Sequence, residues 1–354
     1  MTTMKALIYS STGQVSLVDY PKPTLRSPTD AIIRVTQTTI CGSDLHILKG
    51  DVASCTPSRI LGHEGVGVVD SVGSSVRSFR AGDRVLISCI TQCATCTFCR
   101  RGMPSHCTSG GWMLGNQIDG TQAEFVRIPH AESSLFAIPE SAATREGEAA
   151  LVMLSDIFPT ALECGVLNGK VSPGSTVAVV GAGPVGLAAV VTAQLYTPAV
   201  IIVVDVDDNR LSVAKSLGAQ YTVNSKTHPD VAERVKALTE GGLGCNAVIE
   251  AVGIPATFEL GQRILAPGGV LANVGVHGTK VDLFLEDLWS KNISITTKLV
   301  DTVSTPMLLR LVASGRLEPA KMITHRFKFS QMEEAYKTFG EAAKHNALKV
   351  LIEM

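Results

Sequence analysis

The stretch that decides the fold runs from residue 176 to residue 205 and reads TVAVVGAGPVGLAAVVTAQLYTPAVIIVVD. It begins with an apolar β-like run, passes through three glycines into a helical run, and ends with a second apolar run closed by Asp205. A strand, a glycine turn, a helix and a second strand in this order predict one unit of a parallel sheet with a covering helix.

The turn of this unit, residues 181–186, fits the pattern GxGxxG. A bare match is a weak signal, but a strand before it and a helix after it make it specific. Gly181 permits the tight turn, Gly183 lets the backbone approach a pyrophosphate, and Gly186 lets the helix pack against the strand. The free N–H groups at the helix N-terminus would then hold the phosphates of a dinucleotide. The predicted cofactor-binding residues of this turn are Gly181, Gly183, Pro184, Val185 and Gly186.

The acidic residue at the end of the second strand, Asp205, indicates which dinucleotide is bound. A carboxylate at this position accepts hydrogen bonds from the ribose hydroxyls and repels a 2′-phosphate. NAD is therefore favoured over NADP. Arg210 lies nearby, where it would flank the ribose or weaken that preference.

Strands and helices continue to alternate beyond this stretch, up to about residue 300. The alternation predicts a doubly wound, six-stranded parallel sheet. From about Asp301 two more helical stretches and an apolar end, Lys349–Ile352, could extend this domain or return to the first one. The six predicted strands are Thr176–Val180, Val200–Asp205, Tyr221–Val223, Ala247–Glu250, Val270–Val274 and Ile293–Thr297.

Residues 1–155 differ in texture, because short β-like runs alternate with turn residues. Examples are Ala31–Gln37, Gly65–Val72 and Arg84–Ser88. This pattern predicts a mostly antiparallel, partly rolled β domain.

Composition excludes several classes of function. A net charge of −1 without a long basic run gives no footprint for nucleic acid or an anionic membrane surface. The N-terminus has no signal-peptide pattern. Gly, Pro and Asp break the most apolar stretches, so no membrane span is predicted. We expect a cytoplasmic protein.

Nine cysteines require an explanation, and four of them lie close together. An odd count without a secretory signal argues against a disulfide framework. Four thiolates on one short loop fit tetrahedral structural zinc, although an iron–sulfur cluster is possible on ligand count alone. The four predicted ligands are Cys93, Cys96, Cys99 and Cys107.

Two further segments contain candidate metal ligands. Together with the glycine turn and the four-cysteine loop, residues 93–107, which we call the cysteine lobe, they identify a family. Residues 41–46 read CGSDLH, and residues 62–67 read GHEGVG. In this order, and over essentially the whole chain, these motifs resemble the medium-chain zinc-dependent alcohol dehydrogenases. The segment around Asp156 resembles most closely the branch that acts on secondary alcohols.

The resemblance implies a second, catalytic zinc on Cys41, His63 and Asp156. In another branch of the family the third ligand is a cysteine, and here Cys164 is out of register. The plain alternative for Asp156 is a helix N-cap. Glu64 approaches the metal in the family.

The resemblance also implies a proton relay and a fold. Ser43 would take the proton of the alcohol, and His46 would deliver it to solvent. Residues 1–156 and 301–354 would form a GroES-like, β-rich catalytic domain, and residues 157–300 a Rossmann NAD-binding domain. Further cofactor contacts are expected at Thr160, Val252, Val274, Val276 and Lys349, the last facing the pyrophosphate, and the substrate pocket is expected to include Cys89 and Trp112.

The implied function is reversible hydride transfer between an alcohol, preferentially secondary, or a ketone or aldehyde, and NAD. The alternatives are a polyol or 2,3-butanediol-type dehydrogenase and a non-catalytic, nucleotide-binding relative. Intact Cys41, Ser43, His46 and His63 argue against the second alternative. We expect two zinc ions per chain and a homotetramer.

Overall fold

Most of the regular secondary structure in residues up to Asp156 is β-strand, as the alternation of apolar runs and turn residues predicts. The structure is a computed structural model that describes residues 2–354, without the side chain of Ser141. The strands of this segment are β1 (Thr3–Ser11), β2 (Gln14–Pro21), β3 (Ala31–Thr39), β4 (Arg59–Ile60), β5 (Gly65–Val72), β6 (Arg84–Ile87), β7 (Phe125–Ile128) and β8 (Leu135–Ala137). Its α-helices are α1 (Gly42–Lys49), α2 (Thr97–Arg100), α3 (Ala131–Ser134) and α4 (Arg145–Val152).

These strands form two sheets, and the neighbouring strands in each sheet pair antiparallel, as the sequence predicts. β1 lies between β2 and β4 in a three-stranded sheet. In the larger sheet, β3 pairs with β5 and β7, and β6 and β8 follow beyond β5. The loops that leave β3 and β4 carry Cys41 and His63, two of the predicted metal ligands described below.

Residues 157–300 contain the six-stranded parallel sheet. The strand order is β11-β10-β9-β12-β13-β14, so the sheet is wound in both directions from its centre. The runs at its centre are almost entirely apolar because both faces of a parallel sheet are covered. The strands are β9 (Thr176–Val180), β10 (Val200–Asp205), β11 (Tyr221–Asn224), β12 (Cys245–Glu250), β13 (Leu265–Asn273) and β14 (Ser294–Thr297), and the helices are α5 (Ile157–Thr160), α6 (Pro184–Ala193), α7 (Asp208–Ser216), α8 (Val231–Lys236), α9 (Pro255–Arg263) and α10 (Leu285–Leu288).

The last segment of the chain belongs with the first. Its final strand pairs antiparallel with β3 and parallel with the strand before it. The chain accordingly divides into two units, Met1–Asp156 with Asp301–Met354, and Ile157–Val300. The elements of the last segment are α11 (Thr305–Ala313), β15 (Ile323–Lys328), α12 (Met332–Gly340), α13 (Ala342–His345) and β16 (Lys349–Glu353).

One core of the first unit ties the last segment to α1. Ile47 of α1 packs in a cluster with Leu7 of β1, Tyr336 and Phe339 of α12, and Ile352 of β16. Burying each such large apolar side chain stabilises the fold by roughly 1.5–3 kcal/mol. The position of α1 therefore depends on residues that are distant in sequence.

One helical run was not anticipated from the sequence. Residues Arg145–Leu167 are long and apolar enough to pass a test for a membrane span, but 78% of the most apolar window is buried inside the protein. Such burial is typical of a core helix, so the run is weak evidence for a span.

Candidate metal centres and nucleotide site

The cysteine lobe brings four thiols together. The Sγ atoms of Cys93, Cys96, Cys99 and Cys107 all lie within 4.8 Å of one another. Backbone N–H groups point at the sulfurs: that of Cys96 donates to Cys93 Sγ at 3.4 Å, and that of Cys93 donates to Cys107 Sγ at 3.3 Å. Such bonds stabilise thiolates. None of the nine cysteines forms a disulfide in the structure.

The acidities of the lobe thiols differ widely. A hydrogen bond from Thr95 lowers the pKa of Cys93 to about 5, whereas burial, followed by the neighbouring cysteines, raises the pKa of Cys99 to about 12. Four thiolates at this spacing need a cation to ionise together. The donor set therefore fits a tetrahedral metal ion of the zinc type.

The second cluster collects Cys41, His63 and Asp156. Their donor atoms lie within 4.8 Å of one another. Asp156 Oδ2 lies 3.5 Å from Cys41 Sγ and 3.2 Å from His63 Nε2. One sulfur, one nitrogen and one oxygen donor form an open, three-ligand set, which is typical of catalytic zinc.

The protonation of His63 reports on the charge of this cluster. Burial opposes the charged imidazole, but the hydrogen bonds to Asp156 and Cys41 outweigh it and raise the pKa of His63 well above its usual value. Asp156 and Cys41 thus favour a positive charge at His63, and a bound metal ion would supply that charge in place of the imidazole proton. The cluster fits a divalent metal.

Ser155 explains why Asp156 reaches this cluster. Its hydroxyl accepts from the backbone N–H of Gly65 at 3.1 Å and lies 3.3 Å from the carbonyl oxygen of the same residue. The start of β5, directly after His63, is thereby fixed to the chain beside Asp156. Asp156 also directly precedes α5, which is the position that the N-cap alternative implies.

Asp44 is a residue of the site that the sequence reading missed. Its buried Oδ1 lies 3.9 Å from Nδ1 of His63, and its Oδ2 accepts from the backbone N–H of Cys41 at 2.9 Å. Asp44 is the third residue after Cys41, at the N-terminus of α1. An acidic residue three positions after a helix N-cap is a recognised signal that could have drawn attention to it.

The predicted relay residues lie on one face of α1. Ser43 Oγ is 3.4 Å from His63 Nε2, and so reaches the metal cluster. His46, three residues on and therefore a neighbour on the helix surface, is partly exposed and lies 2.9 Å from Asp51 Oδ2 through Nδ1.

Lys349, which the family resemblance implies faces the pyrophosphate, lies beside the predicted metal ligands. Its side chain is 1% exposed. It forms an ion pair with Glu64 and donates to the carbonyl oxygen of Ile40 at 3.2 Å. A buried ammonium needs a counter-charge, and Glu64 supplies it inside the first unit. The contact of Lys349 with the pyrophosphate stays a prediction.

Glu64 is itself buried beside the cluster. One of its oxygens, Oε2, accepts from Thr39 Oγ1 as well as from Lys349. The other oxygen, Oε1, is buried without a hydrogen-bond partner. A carboxylate with one unsatisfied oxygen has the chemistry of a metal-approaching group.

The two predicted pocket residues lie at the same cluster. Cys89 Sγ is 3.8 Å from Asp156 Oδ1. Trp112 packs edge-on against His63, with the ring centroids 6.1 Å apart. Both side chains therefore adjoin the predicted metal ligands.

The glycine turn in the second unit has the predicted geometry. Gly181 has a φ of 100°, in the left-handed region that favours glycine. Gly183 caps α6, where an added Cβ would meet open space, whereas a Cβ on Gly186 would clash with the carbonyl oxygen of Gly181. Pro184 and Val185 form the first turn of α6.

Asp205 lies beside this turn. Its Oδ2 accepts from the backbone N–H of Ala182 at 2.6 Å, and its Oδ1 accepts from Asp207 at 2.9 Å. The carboxylate is thus held at the glycine turn, at the end of β10. Arg210 lies in the first turn of α7.

Four other predicted cofactor contacts lie in the second unit, three of them after its strands. Val252 follows β12, and Val276 is 60% exposed beyond β13. The N–H of Val274 donates to the carbonyl oxygen of Glu250 at 2.8 Å. A cofactor would therefore have to bind the carbonyl oxygen of Val274 and not its N–H. Thr160 is the last residue of α5.

Comparisons with known proteins agree with both units. Residues 27–140 match the family model described as "Alcohol dehydrogenase GroES-like domain", and residues 184–314 match "Zinc-binding dehydrogenase". An alcohol dehydrogenase of Cupriavidus necator is 34% identical over 99% of this chain and 98% of its own. The chain belongs to the medium-chain, zinc-dependent alcohol dehydrogenase family. This confirms the family and fold class predicted from the sequence.

Solved structures of this alcohol dehydrogenase family share the whole fold. Zinc-dependent alcohol dehydrogenase 2 from Streptococcus pneumonia, in its apo form, is 50% identical, with a TM-score of 0.93 over 99% of this chain and 98% of its own. An Escherichia coli alcohol dehydrogenase, RspB, complexed with NADH, is 29% identical, with a TM-score of 0.88 over 99% of both chains. A Mycoplasma pneumoniae protein named "Probable NADP-dependent isopropanol dehydrogenase" is 34% identical over 99% of this chain and 100% of its own.

Proposed function

We propose that this alcohol dehydrogenase transfers a hydride reversibly between an alcohol, preferentially secondary, or a ketone or aldehyde, and NAD, at Cys41, His63 and Asp156. The meeting of these three donors from distant segments carries the proposal. When bound, zinc there would polarise the substrate C–O bond and lower the pKa of an alcohol, and NAD would accept the hydride.

The chain's own residues supply the proton route. Ser43 lies at the cluster, and His46 lies one turn further on the same helix face, partly exposed to solvent. We assign Ser43 as the first proton acceptor and His46 as the outlet, because the partly exposed imidazole can pass a proton to water. Proton transfer of this kind contributes typically about 10²–10⁴-fold to rate.

The four lobe cysteines would hold a second, structural zinc. Four sulfur donors leave no position open for a substrate, so this site would serve stability alone. Two zinc ions per chain are the proposed content, which metal analysis of the purified protein measures directly.

The preference for secondary alcohols is supported by the third ligand. An aspartate at position 156, where another branch of the family has cysteine, agrees with the isopropanol-dehydrogenase name of the Mycoplasma relative. Initial rates with NAD on matched pairs, such as 1-propanol and 2-propanol, test it, with polyols and 2,3-butanediol in the same panel. Higher kcat/KM for the secondary member is expected, and a preference for polyols would favour the alternative function.

The proposed preference for NAD rests on Asp205. The carboxylate stands at the glycine turn where it would meet the ribose hydroxyls. Asp205→Ala should weaken NADH binding about tenfold, the equivalent of one charged hydrogen bond, and weaken NADPH binding less. Because the same carboxylate also binds backbone N–H groups, Asp205→Asn is the control that retains the shape. Unchanged affinities for both nucleotides in both variants would contradict the assignment.

A homotetramer is a further proposal from the family resemblance, and we also propose a cytoplasmic location. Light scattering of the purified protein measures the first.

A further inference from the structure

The two oxygens of the Asp44 carboxylate have different surroundings. Oδ2 accepts two hydrogen bonds, from the backbone N–H of Cys41 at 2.9 Å and from Gln122 Nε2 at 3.1 Å. Oδ1 is buried without a hydrogen-bond partner and lies 3.9 Å from His63 Nδ1. The hydrogen bonds to Oδ2 therefore decide that Oδ1 is the oxygen that faces His63.

Gln122 holds that other side. Its side chain is buried, and its Nε2 donates to the carbonyl oxygen of Thr39 at 3.2 Å as well as to Asp44. A carbonyl and a carboxylate only accept, so the NH₂ end of the amide must face them. The oxygen end, Oε1, then faces Tyr336, whose hydroxyl donates to it at 2.8 Å.

Tyr336 can only be the donor in this contact. It lies on α12, in the apolar core that also contains Ile47 of α1. Burial raises the pKa of Tyr336 well above its usual value, so the hydroxyl keeps its proton. An inverted amide would place Oε1 against two acceptors and would cost two hydrogen bonds, so the carbonyl of Thr39 and the carboxylate of Asp44 set the orientation of the amide. Tyr336 supplies the donor that Oε1 then needs and anchors that end of Gln122.

We propose that Gln122 and Tyr336 are positioning residues for His63: Tyr336 fixes the Gln122 amide, the amide fixes Asp44, and the free oxygen of Asp44 orients Nδ1 of His63 so that Nε2 faces the metal. This inference rests on the proposed function, because it takes His63 as a zinc ligand. Groups that orient a ligand from behind change metal affinity or activity by about 10–100-fold when removed.

The test follows the release of zinc from the zinc-loaded protein to a chromophoric chelator. Two phases are expected, one for the lobe and one for the His63 cluster. Gln122→Met should accelerate the His63 phase about 10–100-fold, and Tyr336→Phe, which acts one step further away, about three- to tenfold. The lobe phase should not change in either variant.

The matched control is Tyr9→Phe, which removes a phenolic hydroxyl from the same apolar core without touching Gln122. It should leave both phases as in the wild type. Visible spectra of the protein with cobalt at the His63 cluster supply a second readout, because ligand bands shift when the imidazole is reoriented. A shift is expected in Gln122→Met and Tyr336→Phe, and none in Tyr9→Phe.

The outcomes separate this inference from the proposed function. A wild type that releases only the lobe zinc would overturn both. Two zinc phases that stay unchanged in Gln122→Met and Tyr336→Phe would overturn the positioning role alone. Equal acceleration of both phases, with a lower thermal midpoint, would also overturn it, because general destabilisation would then explain the result.

Discussion

The cysteine lobe and the Cys41–His63–Asp156 cluster are two candidate metal sites of the same unit, built in opposite ways. The lobe takes all its donors from residues 93–107, and all are sulfur. The other cluster takes one sulfur, one nitrogen and one oxygen from positions that are 22 and 93 residues apart along the chain. A local, uniform donor set suits a closed structural site, and a dispersed, mixed set suits an open catalytic one.

The difference also appears in what stands behind the donors. Around the lobe, backbone N–H groups of the loop itself point at the sulfurs. Behind His63 lie Asp44, Gln122 and Tyr336. Asp44 is on α1, Gln122 is in the loop before β7, and Tyr336 is in the last segment of the chain. The lobe can therefore be assembled by one loop, whereas the His63 cluster exists only when the whole unit is folded.

The largest effect should follow from removing the oxygen donor of the dispersed cluster. Asp156→Ala should lower kcat/KM by roughly 10³-fold or more, because a Lewis-acidic metal contributes several kcal/mol to the transition state. Zinc content should fall from two to one while NADH affinity stays within about twofold. Steady-state rates, metal analysis and fluorescence titration measure these quantities.

The control for this change is Asp70→Ala, which removes a carboxylate paired with Lys22 at the surface. It should leave rate and metal content unchanged. Retention of two zinc ions and of activity in Asp156→Ala would show that Asp156 is not a ligand, and the contrast between the two sites would then be wrong.

A substitution in the lobe should lower the stability of the protein and leave the reaction rate nearly unchanged. Cys96→Ser should lose one zinc and about 3 kcal/mol of stability, which lowers the thermal midpoint by roughly 10 °C. The kcat of the remaining folded protein should change by less than about twofold. Cys55→Ser, at a buried thiol outside the lobe, is the control. A lobe that contains iron and sulfide would indicate the cluster alternative instead of zinc.

The smallest effect concerns the pH dependence of the zinc-free protein. The pKa of His63 is raised in the folded state, so its proton stabilises the fold fully below the unfolded value of about 6.5, and this stability is lost as the pH rises through the raised value. In zinc-free protein, the midpoint of the wild type should exceed that of His63→Gln by a few degrees at low pH, and the gap should close as the pH rises.

Loading with zinc should reverse this trend, because protons compete with the metal for His63 at low pH. Differential scanning calorimetry across pH, with and without zinc, measures both curves. A gap that is independent of pH in the zinc-free protein would contradict the assignment of the charge to His63.

Much of the fold could be predicted from residue pattern. The runs Thr176–Val180 and Val200–Asp205 are strands with these bounds, because a buried parallel strand is a continuous apolar run. β15 was missed, since its side chains alternate between partly buried and exposed and its apolar signal is weak.

The sites divide in the same way. The lobe could be predicted from spacing, whereas the His63 cluster needed the family resemblance to collect its donors. Lys349 was assigned to the pyrophosphate from the family resemblance, and that contact stays a prediction. Its pairing with Glu64, 285 residues away, depends on packing alone.

By itself, the sequence determined the parallel sheet, the glycine turn and the four-cysteine lobe, because each is encoded by periodicity or spacing within a short segment. Only the tertiary structure decided that Ser155 brings Asp156 beside His63, that Lys349 is buried on Glu64, and that Tyr336 reaches Asp44 through Gln122. The physical reason is that hydrogen bonds and ion pairs between distant segments depend on how the apolar cores pack. The sequence of one segment does not indicate which distant residues it will contact.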